Sequence, residues 1–352
     1  MPIERVAARA LTVLIALLIG CARGPAAGPA TAPSGFVPVE AITAAEVERQ
    51  LRVLAHDSLE GRQTGTAGER AAARFIAAEM QWIGLQPGGD SGLLQRVPLL
   101  ASTRNGRTRL RLALPDSAGI VPPGDTTMAW NVIGIIPGTD PALRDEVVVV
   151  GAHLDHVGTG NPVAGDSIYN GADDDASGVV AVLGIAAAIR AGPAPKRTLV
   201  FAAFTGEEMG LLGTRWYIAH PTHPIERTVA NLQVEMIGRP DSLAGGAGKG
   251  WLTGYERSTM GDILREAGSA IIPDPRPDQN FFMRSDNIAF ARLGIPAHTL
   301  SSFNLHTDYH RPSDEADAVD FAHMTAVIRA AADMVRHLAD GPRPEWHPGG
   351  RP

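Results

Sequence analysis

The chain has 352 residues, of which 44% are hydrophobic, and its formal net charge at pH 7 is −7. This apolar content is sufficient for the core of one large domain or two small ones, which excludes disorder over most of the chain. The acidic balance and the absence of a Lys/Arg cluster exclude nucleic acid as the main partner.

The N-terminus is predicted to be an export signal, residues 1–21, rather than part of the fold. Arg5 and Arg9 precede an apolar run at residues 10–20, which is too short to span a bilayer. The run ends in Leu18-Ile-Gly-Cys21, which resembles the bacterial lipobox and predicts lipidation of Cys21, the only cysteine of the chain. The alternative is an ordinary cleaved secretory signal. We therefore expect an exported protein, and with a lipid on Cys21 a lipoprotein of the cell envelope, in the outer membrane or periplasm.

Two further segments are predicted to lie outside the folded domain. Residues 22–40 are rich in Ala, Pro and Gly, so they bury too little apolar surface to fold and are predicted to form a flexible tether. Residues 341–352 have a similar composition and are predicted to be a disordered tail. No break in composition occurs between these segments, and we expect residues 41–340 to form a single domain.

Inside this domain, helix and strand patterns alternate. The first helix is predicted at residues 45–56, and a second begins at the capping box Thr66-Ala-Gly-Glu69 and ends at Gly84. Asn105-Gly106 is a hairpin turn signal. Strands are predicted at residues 109–114, 131–136, 146–151, 198–204 and 232–236, and further helices at 176–190, 209–220 and 320–338. This order predicts an α/β fold with a mixed, mostly parallel central sheet sandwiched by helices.

The first chemical motif follows the strand predicted at residues 146–151. His153 lies just beyond that strand, and the carboxyl ends of strands border the ligand crevice of an open α/β sheet. Asp155 points to the same side in an extended segment, so it can hydrogen-bond His153 or position a metal-bound water. A lone His-x-Asp is also common in surface loops, and the prediction therefore depends on the motifs that follow.

Acidic residues mark the next strand and helix ends. Asp173-Asp174-Asp175 precedes an apolar helix, so one carboxylate can cap that helix while another binds a metal ion. Glu207-Glu208 follows the strand at residues 198–204, where adjacent side chains can separate a metal ligand from a general base. Glu235 ends a further strand, and His310 lies in a Pro-containing loop. Each motif alone also fits a solvated loop or an acidic helix start. Together they predict a metallohydrolase, because divalent cations offset the cost of clustered carboxylates.

In this order the motifs resemble the co-catalytic zinc aminopeptidase family, which includes secreted bacterial leucyl aminopeptidases. Its relatives include glutamate carboxypeptidases, glutaminyl cyclases and the inactive transferrin receptor. The resemblance runs from about Ala45 to Leu338 and includes Leu59-Glu-Gly-Arg-Gln-Thr-Gly-Thr-Ala-Gly68, Arg284-Ser-Asp-Asn287 and Gly294-Ile-Pro296. It implies a phosphorylase/hydrolase-like α/β fold and an aminopeptidase that removes N-terminal residues from peptide substrates with two zinc ions.

The resemblance also implies a role for each site residue. The expected metal ligands are His153, Asp174, Glu208, Glu235 and His310. Asp174 would bridge both zinc ions, with His153 and Glu235 on the first and Glu208 and His310 on the second.

The same resemblance implies two catalytic residues. Glu207 would be the general base for a hydroxide shared by the two metals, and Asp155 would support His153 from behind. His156 and His306 lie near these motifs in the sequence, but we expect neither to bind metal.

Two positions depart from the family pattern. Glu235 stands where many members have Asp, which changes the reach and denticity of one zinc ligand, and Asn287 stands where many have His. Phe281, Phe282 and Met283 either line a specificity pocket or pack in the core.

Other activities of the family remain as alternatives. A dipeptidase or carboxypeptidase needs a basic group for the substrate carboxylate, and the sequence assigns no residue to that role. A glutaminyl cyclase, which is a transferase, resembles a one-zinc site, whereas His153 together with Glu235 favours two metals. An inactive binding module would lack ligands, and none is missing. Larger relatives insert a protease-associated domain before the first ligand strand, and the distance from Arg62 to His153 leaves little room for one.

Overall fold

A computed structural model describes residues 38–104, 107–114 and 124–352. In these residues the helices are α1 (Ala44–Leu54), α2 (Ala67–Ile83), α3 (Gly178–Ala191), α4 (Leu212–Ala219), α5 (Thr259–Glu266), α6 (Asn287–Arg292) and α7 (Phe321–Asp340). The strands are β1 (Gln86–Pro87), β2 (Leu94–Arg104), β3 (Arg107–Leu112), β4 (Asp125–Ile136), β5 (Val147–His153), β6 (Gly158–Val163), β7 (Asp166–Tyr169), β8 (Thr198–Phe204), β9 (Thr228–Val234), β10 (Gly250–Leu252), β11 (Ile271–Pro273) and β12 (Ala297–Ser301).

Across the described residues, ten strands form one mixed sheet. Its order is β11-β10-β12-β9-β5-β8-β4-β2-β3, with β1 paired to β4. The four central strands, β12, β9, β5 and β8, are parallel to one another. Strands β4, β2 and β3 continue the sheet in antiparallel fashion on one side, and β10 is antiparallel to β12 on the other. The predicted α/β fold is confirmed, and its parallel part is the centre of the sheet.

Helices cover both faces of the central strands. Val148 and Val150 of β5 belong to a core cluster that includes residues of α1, α2, α3 and α7. Val147 and Val149 belong to a second cluster, with Tyr217 of α4 and the α6 residue Phe290. Since successive side chains of a strand point to opposite faces, these two clusters lie on opposite sides of the sheet. The uniformly apolar sequence of β5 therefore reflects burial on both faces.

The start of α2 shows how a predicted capping box works in the folded chain. The Thr66 hydroxyl accepts a hydrogen bond from the backbone N–H of Glu69 at 3.3 Å, and Gly84 ends the helix with a φ of 85°. The Glu69 carboxylate accepts from the N–H groups of Gly65 (2.8 Å) and Trp130 (3.1 Å). The cap therefore also ties the first turn of α2 to β4.

The C-terminal segment corrects one prediction, because residues 341–352 are not a disordered tail. Trp346 forms a β-bridge with Ser258, and its indole N–H donates to the carbonyl oxygen of Gly294 at 2.9 Å. The indole ring also lies against Phe282, with 6.3 Å between ring centroids. Burial of this aromatic side chain orders a segment whose Pro and Gly content alone indicates disorder.

Several predictions fall outside the described residues: the export signal, Cys21, the tether up to residue 37 and the turn at Asn105-Gly106. The last part of the predicted tether is folded, since Val39–Ala41 form a 3-10 turn and Val39 packs against the core. No helix in the described part of the chain is both long and apolar enough to cross a membrane.

Candidate metal centre

The predicted site residues meet at the carboxyl edge of the parallel strands. They come from the last residue of β5, from the segments that directly follow β8 and β9, and from the loops before α3 and after β12. The five predicted ligands that the structure brings together there are His153, Asp174, Glu208, Glu235 and His310. This edge is where open α/β sheets hold their ligands.

The ligands form two groups that share one residue. His153, Asp174 and Glu235 form the first group, and Asp174 also belongs to a second group with Glu208 and His310. In the first, His153 Nε2 lies 3.1 Å from Asp174 Oδ1. In the second, His310 Nε2 lies 3.0 Å from Asp174 Oδ2 and 3.0 Å from Glu208 Oε1. The two carboxylate oxygens of Asp174 therefore face different groups, as a bridging ligand requires.

The donor atoms of these groups are not satisfied by the protein. His153 Nε2, Asp174 Oδ2, Glu208 Oε1 and His310 Nε2 are buried, and although the pairs above are 3.0–3.1 Å apart, none of these atoms has a partner with the angle of a hydrogen bond in the described part of the chain. Each buried polar group left without a partner costs about 1–3 kcal/mol. Imidazole nitrogens and carboxylate oxygens at this spacing are the donors that zinc binds in proteins. The residues present therefore fit two divalent metal ions.

A fourth residue of the second group is one for which we expected no metal contact. His156 Nδ1 lies 3.1 Å from Glu208 Oε1 and 3.7 Å from Asp174 Oδ2. The His-x-x-His spacing of His153 and His156, directly after a strand, is the sequence signal for it. His306 lies outside both groups, with its Nε2 atom 2.9 Å from Asp173 Oδ2.

The three consecutive acids face three different sets of partners. Asp173 Oδ1 accepts a hydrogen bond from the backbone N–H of Gly238 at 2.6 Å. Asp175 accepts from the N–H groups of Gly178 (2.9 Å), Met236 (3.1 Å) and His153 (3.2 Å), so it caps α3 and joins β5 to the end of β9. Only Asp174 is left to face both ligand groups, and the Asp174–Asp175 peptide bond is cis.

Two residues that hold this loop went unrecognised in the sequence. Asp314 accepts from the backbone N–H groups of Asp173 (3.0 Å) and Asp174 (3.1 Å). Arg62 is 1% exposed, and its guanidinium donates to four backbone carbonyl oxygens, those of Leu54, Leu154, Asn170 and Gly171. The Arg62 charge also lies close enough to Asp174 to interact with it electrostatically. Arg62 belongs to a motif that carries the family resemblance, and Asp314 follows His310 in the same loop, but hydrogen bonds to backbone atoms leave no pattern in a sequence.

Asp155 supports Glu207 more directly than it supports His153. Its Oδ1 atom accepts from the backbone N–H of Glu207 at 3.1 Å, and its Oδ2 atom accepts from the Thr64 hydroxyl at 2.8 Å. His153 Nδ1 lies 3.0 Å from the backbone oxygen of Asp155, closer than the 3.8 Å that separates it from the carboxylate. We expected the Asp155 side chain to support His153 from behind. Instead, the backbone carbonyl of Asp155 orients the His153 ring and leaves its Nε2 atom to face the ligand group.

Burial changes the acidity of two glutamates at the site. It raises the pKa of Glu207 well above the usual range of a carboxyl group, although the nearby His153 acts in the opposite direction. Burial likewise raises the pKa of Glu235 to about 7. A bound cation offsets the unfavourable burial of negative charge.

A pocket opens beside Glu235 and is lined by aromatic side chains. Its walls include Trp251, Phe281 and Phe303. The rings of Trp251 and Phe281 stack at 5.2 Å between centroids. Of the three residues considered for a pocket, Phe281 lines it, whereas Phe282 packs in the core near α6 and Met283 is 38% exposed.

Asn287, the second departure from the family pattern, is used within the protein. Its side-chain N–H donates to the carbonyl oxygen of Phe282 at 3.0 Å, and its oxygen accepts from the Thr299 hydroxyl at 3.0 Å. Asn287 belongs to neither ligand group.

Comparison with known proteins places this geometry in a family. The sequence profile of Peptidase family M28 matches residues 131–335, which is more than half of the chain. Probable leucine aminopeptidase 1 of Trichophyton verrucosum (strain HKI 0517) is 29% identical over 229 residues, covering 59% of this chain and 58% of that protein. Leupeptin-inactivating enzyme 1 of Streptomyces exfoliatus is 29% identical over 175 residues, covering 49% and 36%. The chain therefore spans less than two thirds of the length of these relatives.

Solved structures share the fold. The aminopeptidase from Aneurinibacillus sp. strain AM-1 superposes with a TM-score of 0.62 at 17% identity, over 86% of this chain and 95% of that one. The zinc aminopeptidase BSAP from Bacillus subtilis superposes with a TM-score of 0.61 at 16% identity, over 85% and 96%. The family resemblance seen in the motifs is confirmed, and the chain belongs to peptidase family M28.

Proposed function

We propose that the protein is a zinc-dependent aminopeptidase with two zinc ions. The observation that carries this proposal is Asp174, whose two carboxylate oxygens face two separate groups of metal-ligating side chains, each with at least one buried atom that has no hydrogen-bond partner among the described residues. The aminopeptidases among its relatives and the zinc aminopeptidase of similar fold support the same assignment. When bound, the two ions would polarise the scissile carbonyl and lower the pKa of water.

Glu207 is the residue that moves the proton in this proposal. It precedes the ligand Glu208 directly, and Asp155 fixes its backbone through the N–H group. In the protein without bound metal, burial raises the pKa of Glu207 well above the usual range. With the ions bound, its carboxylate would accept a proton from water as the general base. It would then deliver that proton to the leaving amine, serving as base and then as acid.

Substrate position follows from the acidic surroundings and the pocket. A free α-ammonium group is attracted to the carboxylates around Glu235, which also lines the aromatic pocket. A large apolar side chain of the N-terminal residue would fill that pocket, because its aromatic walls bury apolar surface. The proposed substrates are therefore peptides that begin with a large apolar residue.

One observation favours a second candidate, a dipeptidase or carboxypeptidase. Arg284 lines the same pocket, and its guanidinium lies 5.0 Å from the centroid of the Phe281 ring. Arg284 is exposed, so it is the type of cation that binds a substrate carboxylate. The sequence alone assigns no residue to this role.

The test is hydrolysis of amino-acid para-nitroanilides, their N-blocked versions, and dipeptides with free or amidated carboxyl ends, with zinc measured on the same sample. Cleavage of free-amine anilides but not of blocked ones, with about two zinc ions per chain, is the result we expect. Cleavage only of substrates with a free carboxylate, lost in Arg284→Gln, would replace the aminopeptidase with the second candidate. Activity without zinc would overturn both.

We also propose that the protein is exported and attached to a membrane through a lipid on Cys21. The lipobox-like Leu18-Ile-Gly-Cys21 after an apolar run supports this assignment. Fractionation of cells that express the protein and its Cys21→Ser variant tests it. Release of the variant from the membrane fraction is expected, and a variant that stays in that fraction would contradict lipidation.

A further inference from the structure

The second ligand group contains one residue more than the first. His156 Nδ1 lies 3.1 Å from Glu208 Oε1 and 3.7 Å from Asp174 Oδ2, the two oxygens that His310 Nε2 approaches at 3.0 Å each. Donors that surround one zinc ion tetrahedrally at its usual bond lengths lie about 3.3 Å apart. The spacing of His156 from the two carboxylates therefore matches that of a ligand.

His156 differs from other buried histidines of the described chain in its hydrogen bonds. His298 and His323 both have a partner at each ring nitrogen: His298 contacts the Thr253 carbonyl oxygen and the Ser258 hydroxyl, and His323 contacts the Gly248 N–H and the Ser302 hydroxyl. His156 is 0% exposed, and although its Nδ1 atom lies 3.1 Å from Glu208 Oε1, neither ring nitrogen has a partner with both the distance and the angle of a hydrogen bond in the part of the chain that the structure describes. A histidine buried for packing alone would leave this cost uncompensated.

The backbone fixes the His156 ring in this position. A Cβ atom on Gly171 would lie 2.6 Å from two carbons of the ring, which is closer than real contacts allow. Gly171 has a φ of 58°, and it directly precedes the acid run that carries Asp174. The loop therefore holds the His156 ring against the backbone beside the bridging carboxylate.

We propose that His156 is the fourth protein ligand of the second metal ion, an inference that rests on the proposed two-zinc function. The second ion then has His156, Asp174, Glu208 and His310, whereas the first has only His153, Asp174 and Glu235. Zinc with four protein ligands can still accept a fifth, so the second ion would keep a position for water, while the first, with three, would keep a position for the substrate. The second ion is consequently bound more tightly, and the first, beside the aromatic pocket, exchanges more easily.

Zinc binding to the metal-free protein, measured by calorimetry with a competing chelator, tests this inference on the wild type and on His156→Asn. The Asn side chain places an amide near the position of Nδ1, so it retains hydrogen bonding and size but is a poor zinc ligand. The wild type is expected to bind two zinc ions in two separate steps. In the variant the tighter step should weaken by at least about 100-fold, since removal of outer contacts alone costs 10- to 100-fold.

Two further readouts separate a ligand from a structural histidine. The melting temperature of the metal-free variant should equal or exceed that of the wild type, while its increase on zinc addition should be smaller. The visible absorption of bound Co²⁺, which depends on coordination geometry, should change in His156→Asn. His306→Asn is the matched control, because His306 lies beside the acid run but outside both groups. Its zinc affinities should stay within about threefold of the wild type.

Three results would overturn the inference. They are two equal zinc sites in the wild type, an unchanged tight step in His156→Asn, or a metal-free variant that has lost stability while its zinc affinities and Co²⁺ spectrum are unaltered. A wild type that binds no zinc would instead reject the proposed function itself, so the two failures are distinguishable.

Discussion

Polar side chains at the two ends of the central parallel strands differ in their hydrogen bonds within the protein. At the amino ends, Arg197 precedes β8 and Glu146 precedes β5, and Arg197 Nε donates to the Glu146 carboxylate at 2.6 Å. The same guanidinium donates to the carbonyl oxygens of Leu338 (3.0 Å) and Gly341 (2.6 Å). At the carboxyl ends, His153 and Glu208 have buried atoms without a hydrogen-bond partner among the described residues.

This difference separates a structural cluster from a functional one. Arg197 is 2% exposed, and its contacts join the sheet to the end of α7 and the C-terminal segment. The hydrogen bonds of Arg197 therefore stabilise the fold. The unpaired atoms at the carboxyl ends lower the stability of the metal-free protein, and bound ions would offset that cost. Substitutions at the two ends should consequently have opposite effects on activity and stability.

The largest effect is expected from Glu207→Gln at the carboxyl end. The amide retains the size of the side chain but cannot accept a proton from water, so kcat should fall by about 10²–10⁴-fold. Zinc content should stay at the wild-type value, because Glu207 belongs to neither ligand group. The stability of the metal-free protein should not fall, since the substitution removes a half-buried acid that lies among other carboxylates. Turnover of zinc-loaded enzyme and urea unfolding measure these quantities.

Asp155→Asn is the matched control for Glu207→Gln. The Asn oxygen can still accept from the Glu207 N–H, as Asp155 Oδ1 does at 3.1 Å, so the loss of turnover should be much smaller. Near-normal turnover of zinc-loaded Glu207→Gln would contradict the general-base role. An equal loss in both variants would show that Asp155 does more than hold the Glu207 backbone.

Site residues at the strand ends could be predicted from the sequence more readily than those in the loops between the strands. Strand position places His153, the Glu207-Glu208 pair and Glu235 at the crevice, whereas the family resemblance singles out Asp174 within its acid run and Glu208 within its pair as metal ligands. His156 has only its His-x-x-His spacing as a sequence signal, because its approach to the second ligand group depends on the turn after β5 and on the Gly171 loop, which no periodicity describes.

The folded conformation of the C-terminal segment could not be predicted either. Residues 341–352 contain Pro and Gly that favour disorder in isolation, yet the Gly341 carbonyl accepts from Arg197 and Trp346 donates to Gly294. These partners are distant in sequence, so composition carries no information about them. Helix α2 was predictable for the opposite reason, because its cap and its Gly84 end are local.

Arg197→Met tests the structural role of the polar residues at the amino ends of the parallel strands. The variant leaves the Glu146 carboxylate and two carbonyl oxygens without their donor, and we expect a loss of roughly 2–4 kcal/mol in the free energy of unfolding. Activity and zinc content per folded molecule should not change. Arg52→Met is the control, since Arg52 also pairs with carboxylates but is 46% exposed, and its substitution should lower the free energy of unfolding much less than Arg197→Met does. Equal losses in the two variants would remove the distinction between a buried and an exposed pair.

His298, a fully paired buried histidine, sharpens the contrast with His156 through its pH dependence. Its Nδ1–H donates to the Thr253 carbonyl oxygen at 2.7 Å, its Nε2 accepts from the Ser258 hydroxyl at 2.6 Å, and burial lowers its pKa from 6.5 to about 4. Between these values the unfolded chain binds more protons, so stability present above pH 6.5 is lost as the pH falls towards 4, by up to about 3 kcal/mol.

Urea unfolding of the metal-free wild type and of His298→Gln over this pH range measures that contribution. The variant should be less stable at neutral pH, because Gln does not reproduce both hydrogen bonds. Its stability should decline less steeply on acidification, because the substituted side chain does not titrate. Parallel pH profiles for the two proteins would contradict the assigned role of His298.

The smallest loss of stability is expected from Trp346→Ala, in the C-terminal segment whose Gly341 carbonyl accepts a hydrogen bond from Arg197. The variant loses the hydrogen bond to Gly294 and the packing against Phe282, which should cost roughly 1–3 kcal/mol, less than a fully buried Trp because the ring is only partly buried. Trp82→Ala is the control, since Trp82 is 80% exposed and its substitution should change stability by at most about 0.5 kcal/mol. Thermal unfolding followed by circular dichroism measures both.

If Trp346→Ala melts at the same temperature as Trp82→Ala, the C-terminal segment adds nothing to stability. If it melts at a lower temperature with unchanged turnover per folded molecule, the segment stabilises the amino ends of the parallel strands and does not affect the metal centre.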